Sequence, residues 1–148
     1  VVEHGDGTDT IELMGMATRP EDDPARHWRL HYDEPLPVLP MPLAEGDSWD
    51  ARATFRDARL GGLPTAGVED WSFEVEAVGT ALLEGGVEVE QVLRIRSSVE
   101  RTLAVSQGPH TETRYQLLWL APCFGELARL EGTDEELVEV VEYRRLRL

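Results

Sequence analysis

The sequence predicts an all-β fold: a single domain over residues 1–148 made of one strongly curved antiparallel sheet, with hairpin connections and little helix. Three observations predict it. Trp119 to Leu127 reads as strand, sharp turn and strand, because Pro122 lacks the donor a ladder needs and Gly125 can take the positive φ of a tight turn. Trp71, Phe73, Val75 and Ala77 alternate with Ser72, Glu74 and Glu76, the period-two pattern of a strand with one dry face. Turn signals recur between short alternating runs, the mark of hairpins rather than of βαβ units. A chain of 148 residues, 41% hydrophobic, suffices for one core and is too short to expect two.

In chain order, His4 to Gly7 separates Val1-Val2 from Thr8 to Met16 as a first hairpin, and Arg19 to Ala25 is a charged, proline-bearing loop. Trp28, Leu30 and Tyr32 then share one strand face, with His27, Arg29, His31 and Asp33 on the other. Pro35 to Leu43 carries four prolines and is expected as an extended, polyproline-like crossing that cannot pair as a central strand, its Leu, Val and Met side chains on the core. After a turn at Glu45-Gly46-Asp47, Trp49 to Phe55 is strand-like, and Gly61 to Pro64 breaks the chain. Gly85-Gly86 follows Trp71 to Ala77 as a hairpin turn. Val87, Val89, Leu93 and Ile95 share a face interrupted by Val92, with a bend expected at Ser97-Ser98 before Val99 to Val105. Gln107 to His110 is a further turn, and Tyr115, Leu117 and Trp119 line one face of the strand entering the terminal hairpin. In Thr133 to Leu148 a capping box, Thr133 with Glu136, competes with strand alternation. The strand is expected, because a closing strand would pair with Leu127 to Leu130.

Charge and composition remove several function classes. Twenty-nine acidic against 14 basic residues give a net charge of −15, which repels a nucleic-acid backbone or an anionic membrane. Neither lysine nor asparagine occurs, so Schiff-base chemistry and a P-loop lysine are excluded. One cysteine, Cys123, cannot build a disulfide framework or a multi-thiolate zinc site. No apolar run approaches the roughly 20 residues of a transmembrane helix. The chain opens at Val1 with no methionine or signal-like segment and is read as a processed or trimmed form.

No catalytic constellation emerges. His27 and His31, four apart with Asp33 following, describe a polar strand face and fall short of the three or four converging ligands of a metal site. Cys123 has no protease-like signature around it and reads as a small apolar residue at a turn. The serines stand outside any Gly-x-Ser-x-Gly elbow, and Glu21-Asp22-Asp23 lacks calcium-loop spacing. The Pro37-Val38-Leu39-Pro40 match to PxxP reads as part of the crossing strap rather than as a peptide ligand. Carboxylates are so numerous that a pair at glycosidase spacing carries no information. No cofactor and no metal are expected.

What remains is an aromatic set, Trp28, Tyr32, Trp49, Phe55, Trp71, Phe73, Tyr115 and Trp119, mostly on inward faces. If the sheet closes on itself, these rings fill a core, the simpler reading for a domain that needs them for stability. If it stays open, they line a concave groove for an acyl chain or other hydrophobic ligand, with Trp71, Phe73, Tyr115 and Trp119 as the candidate ligand-binding residues. Trp71 and Trp119 are expected buried on the concave side.

Tyr-Asp-x-Pro-Leu-Pro (Tyr32 to Pro37), Leu-x-x-Gly-x-x-Trp (Leu43 to Trp49) and Trp-x-Ala-Pro-x-x-Gly (Trp119 to Gly125) resemble uncharacterised bacterial exported and lipoprotein-type domains. These are similar to the lipoprotein-localisation (LolA-like) fold, a half-barrel of curved antiparallel sheet, and the resemblance covers Gly5 to the C-terminus. The chain departs from that pattern at Cys123, where glycine is commoner, and at Leu83 to Val89, where valine-proline-alanine-glycine is common. The resemblance implies a non-enzymatic domain exported to the periplasm or cell envelope. The competing classes are an assembly module, in which sheet edges or Cys123 join two copies as a homodimer, and a hydrolase with an unrecognised acidic site.

Overall fold

A computed structural model of the chain describes residues 2–3, 9–18, 28–60, 63–83, 85–106, 108–122, 124–137 and 140–145. The fold is all-β, with no helix among these residues. Nine strands, β1 (Val2–Glu3), β2 (Asp9–Thr18), β3 (Trp28–Met41), β4 (Ser48–Leu60), β5 (Leu63–Leu82), β6 (Glu88–Val105), β7 (Gly108–Ala121), β8 (Gly125–Gly132) and β9 (Val140–Arg145), form one sheet in sequential order. Every neighbour in the sheet is thus a neighbour in sequence, which is the meander that recurrent turn signals predict.

The expected first hairpin forms, with Val2 opposite Thr10 and Glu3 opposite Asp9. Its tip, like the Arg19 to Ala25 loop and Gly61-Gly62, lies outside the described residues. The proline-rich strap departs from expectation. It is part of β3 and pairs with β2, Leu36 opposite Leu13, Pro37 opposite Glu12, Pro40 opposite Thr10 and Met41 opposite Asp9. Register shifts between Ile11 and Glu12 and between Leu13 and Gly15 accommodate it, the first leaving Val38 without a partner. A proline keeps its carbonyl acceptor and its extended φ, so bulges let it sit in a ladder that a regular register would deny it. Leu36 is fully buried as expected, but Met41 is exposed.

The terminal hairpin forms as the sequence predicts. β7 ends at Ala121, the Phe124 N–H donates to the Ala121 carbonyl at 3.3 Å, Gly125 has φ of +73°, and Ala121 faces Gly125 across the turn. β9 then closes on β8, Leu130 opposite Tyr143 and Ala128 opposite Arg145, so the final segment is the strand that alternation favoured over the capping box. Gly85 and Gly86, at φ of +84° and +80°, turn β5 into β6. β6 is continuous through Ser97-Ser98, so the strand is not interrupted there. It contains neither Gly nor Pro, and Ile95, Ser97 and Val99 keep one buried parity. The break in alternation falls earlier, at Gln91. Its left-handed φ of +58° accompanies the inward turn of the following residue, Val92, which is buried, whereas Val87, in the turn before β6, is exposed.

The chain divides into two compact units. Unit 1 holds Val1–Pro42, Ala51–Asp70 and Glu100–Glu112, and unit 2 holds Leu43–Asp50, Trp71–Val99 and Thr113–Leu148, so β4 to β7 contribute residues to both. Unit 1 buries Leu30, Tyr32, Leu36, Ala53, Phe55, Ala58 and Leu103. Unit 2 buries Trp71, Phe73, Val75, Val89, Val92, Ile95, Val99, Ala121 and Leu127.

One close approach in unit 1 is decisive. A Cβ on Gly67 would collide with the Thr102 carbonyl oxygen and lie 2.6 Å from Phe55 Cζ. Backbone and ring are both fixed, so Gly67→Ala is expected to cost about 1–3 kcal/mol as overpacking. Gly79, also in β5, faces open space, and Gly79→Ala is expected to leave the thermal midpoint within a degree or two of the parent. Equal midpoints for the two variants would refute this account of Gly67.

Candidate functional site

The aromatic face of unit 2 is built on β5 alternation. Trp71 and Phe73, two residues apart, project to the same side and are 6% and 7% exposed. Their rings stack with centroids 5.6 Å apart and planes at 7°. Trp49, entering from β4, also stacks with Phe73, at 5.0 Å and 9°. The turn before β4 positions it. Asp47 accepts the Ala44 N–H through Oδ2 at 2.7 Å, Gly46 N–H donates to the Val75 carbonyl at 2.9 Å, and Val75 N–H donates to the Asp47 carbonyl at 2.9 Å. A Trp–Phe–Trp ladder results, dispersion-bound and anchored to backbone at one end.

The indole Nε1 of Trp49 is buried and has no hydrogen-bond partner among the described residues, and the same holds for Ser97 Oγ on β6. Such atoms are uncommon, since a buried donor left unmade costs about 1–3 kcal/mol. Both belong to unit 2.

Of the four predicted ligand-binding residues, Trp71 and Phe73 are thus brought together and buried, whereas Tyr115 and Trp119 on β7 are half-buried. The expectation that Trp119 is buried like Trp71 is corrected. It flanks a small cluster of Val89, Val92, Ala121 and Leu127 and keeps an open side. Gln116, between the predicted inward positions, is the buried residue of that stretch, its Nε2 donating to Glu131 Oε2 at 3.4 Å beside the Arg114–Glu131 ion pair.

A polar network that the aromatic reading passed over lies in unit 1. Glu69 is 0% exposed and accepts from Tyr32 Oη at 2.5 Å on one carboxylate oxygen and from Arg101 Nε at 2.5 Å on the other. Arg101 Nη1 reaches Glu112 at 3.2 Å. Extending the β5 parity backwards from Trp71 would have found it, since Glu69 occupies the same face, and a carboxylate there must be matched by an arginine. Its groups are mutually satisfied and tightly enclosed, so it is a fastening within the core rather than a place for a reactant. In unit 2 the partly exposed Glu76 binds both Arg94, at 3.0 Å, and Arg96, nearer the surface.

His31 and Asp33 lie on the exposed face of β3, as alternation predicts. His31 Nδ1 lies 2.9 Å from the Tyr32 carbonyl, and Asp33 accepts from Thr54 at 2.9 Å and pairs with Arg56 at 3.2 Å. His4, His27, Cys123 and the Trp28 side chain lie outside the described residues. Among the described residues no group of three or more His, Cys, Asp or Glu side chains is arranged to hold a metal ion. No helix among them is long and apolar enough to cross a membrane. No protein-family model matches the chain, and neither a curated protein nor a solved structure matches it.

Proposed function

We propose that this protein is a non-enzymatic binding domain, exported to the periplasm or cell envelope, that holds a hydrophobic ligand carrying one hydrogen-bond acceptor against the aromatic face of unit 2. The observation that carries the reading is the Trp49 indole N–H, buried with no acceptor among the described residues, on a ring that stacks with Phe73 beside Trp71. An acceptor supplied by a ligand would make the missing bond, and the half-buried Tyr115 and Trp119 rings supply apolar surface in the same unit. A chain of net charge −15 favours a neutral acceptor, an ester or an alcohol, over a carboxylate. Export rests on the resemblance of three stretches, Tyr32–Pro37, Leu43–Trp49 and Trp119–Gly125, to bacterial exported domains.

Titration with a pyrene-labelled long-chain ester, followed by tryptophan quenching, tests the binding reading. Saturable binding on the order of micromolar is expected, weakened about tenfold by Trp49→Phe, which keeps a stacking ring and deletes the donor. Trp119→Ala and Tyr115→Ala are expected to weaken it further by removing apolar contact. A folded parent protein that takes up no probe sinks the proposal. Fractionation of cells making the protein from its natural gene tests export, and recovery from the cytosol alone would end that part of it.

A further inference from the structure

We infer that the hairpin-tip end of unit 2 is a docking surface for a polypeptide segment that combines apolar side chains with flanking lysine or arginine. Leu82, Val87 and Phe124 are 72%, 43% and 46% exposed, and all three stand at hairpin turns, where polar residues are the rule. Leu82 and Val87 flank the Gly85-Gly86 turn, and Phe124 lies in the turn between β7 and β8. These two tips share a foundation. Val89 and Val92 of one hairpin pack with Ala121 and Leu127 of the other, with Ala81, Leu83 and Trp119 against them. The turns are held by backbone bonds, Leu83 N–H to the Val87 carbonyl at 2.8 Å and Gly86 N–H to the Leu83 carbonyl at 3.1 Å, so the apolar side chains are presented on a firm support.

Charge selects the partner. Residues 78–93 and 115–128 contain no basic residue, while Glu88, next to Val87, and Glu90, two residues on, are exposed. No ion pair among the described residues engages either of them, whereas Glu126 is held by Arg129 at 2.6 Å. An apolar patch with an unneutralised acidic rim repels an anionic lipid surface and equally repels a second copy of a chain at −15. It complements a cationic, amphipathic segment, with apolar contact supplying affinity and the rim supplying orientation and on-rate.

The test is calorimetric titration of the whole chain with an amphipathic helical peptide of leucine and lysine, at low and high salt. One-to-one binding is expected. The double variant Leu82→Ser, Phe124→Ser should weaken it about tenfold or more, which exposed positions permit without unfolding. Glu88→Gln with Glu90→Gln should flatten the salt dependence, and Met14→Ser, removing an equally exposed apolar residue of unit 1, should change nothing. Binding unchanged in the tip variant overturns the proposal, because attraction to the net charge alone would then explain it. Tip-dependent capture by phosphatidylcholine vesicles, or tip-dependent self-association, in place of tip-dependent peptide binding overturns it in favour of those occupants.

Discussion

Arg101→Leu is expected to cost about 3–5 kcal/mol of folding stability, the range found when one partner of a buried ion pair is removed. Glu69 is wholly enclosed, and Arg101 is its cationic partner at 2.5 Å, with an Arg101 side chain only 11% exposed. Tyr32 Oη donates to the other carboxylate oxygen, but a phenol carries no charge to balance the carboxylate left behind. The loss should show as a lower urea midpoint with an unchanged slope. Because most of the penalty comes from taking a close cation away from a buried carboxylate, the double variant Arg101→Leu, Glu69→Leu should recover much of it, although each single change is harmful. Tyr32→Phe should be milder, at about 1–2 kcal/mol, since Arg101 still neutralises the acid. An Arg101→Leu variant within about 1 kcal/mol of the parent would mean that water or another cation reaches Glu69, contrary to its enclosure.

Phe73→Ala is expected to be as damaging, at about 3–5 kcal/mol, because it empties a buried aromatic site. Phe73 is the middle ring of the stack, so its removal also separates Trp49 from Trp71, forfeiting two ring contacts of about 0.5–1.5 kcal/mol each within that total. The near-ultraviolet circular dichroism of the two indoles should collapse in this variant, because the ring that fixes their mutual geometry is gone. Phe73→Leu should lose less than half as much stability, since it keeps most of the apolar volume while abolishing stacking. If Phe73→Ala leaves both the midpoint and the spectrum intact, the ladder is not part of the folded core. This experiment also separates packing from binding. Trp49→Phe alters the donor and leaves the stack, whereas Phe73→Ala alters the stack itself.

Much of the architecture was legible because strands in this chain obey local rules. Residues such as Leu30, Tyr32, Trp71, Phe73 and Val75 alternate with solvated neighbours, and that alternation by itself places them on a dry face. Pro122 and Gly125 fix a turn by their own backbone chemistry, whatever surrounds them. The failures have equally definite causes. The composition of Pro35 to Leu43 points to a strap outside the ladder, yet a bulge at Val38 lets the part up to Met41 pair with β2, because a bulge is a decision of two strands together and leaves no mark in one. The left-handed φ at Gln91, which turns Val92 inward, occurs at a residue with no special preference for it.

The aromatic site shows the same division. That Trp71 and Phe73 share a face followed from their spacing, but that Trp49 completes a stack on Phe73 depends on β4 lying beside β5 and on backbone bonds from Gly46 and to Asp47. The sequence by itself therefore determined the all-β class, the meander of hairpins, the acidic surface and the inward parity of most rings, since each follows from a residue and its neighbours within a few positions. Only the tertiary structure decided that Arg101 meets Glu69, that the Trp49 indole N–H has no acceptor among the described residues, and that Val89 and Val92 share a buried cluster with Ala121 and Leu127. Those are pairings between residues tens of positions apart. They are settled by register and bulges, which act through space and are not encoded at any single position.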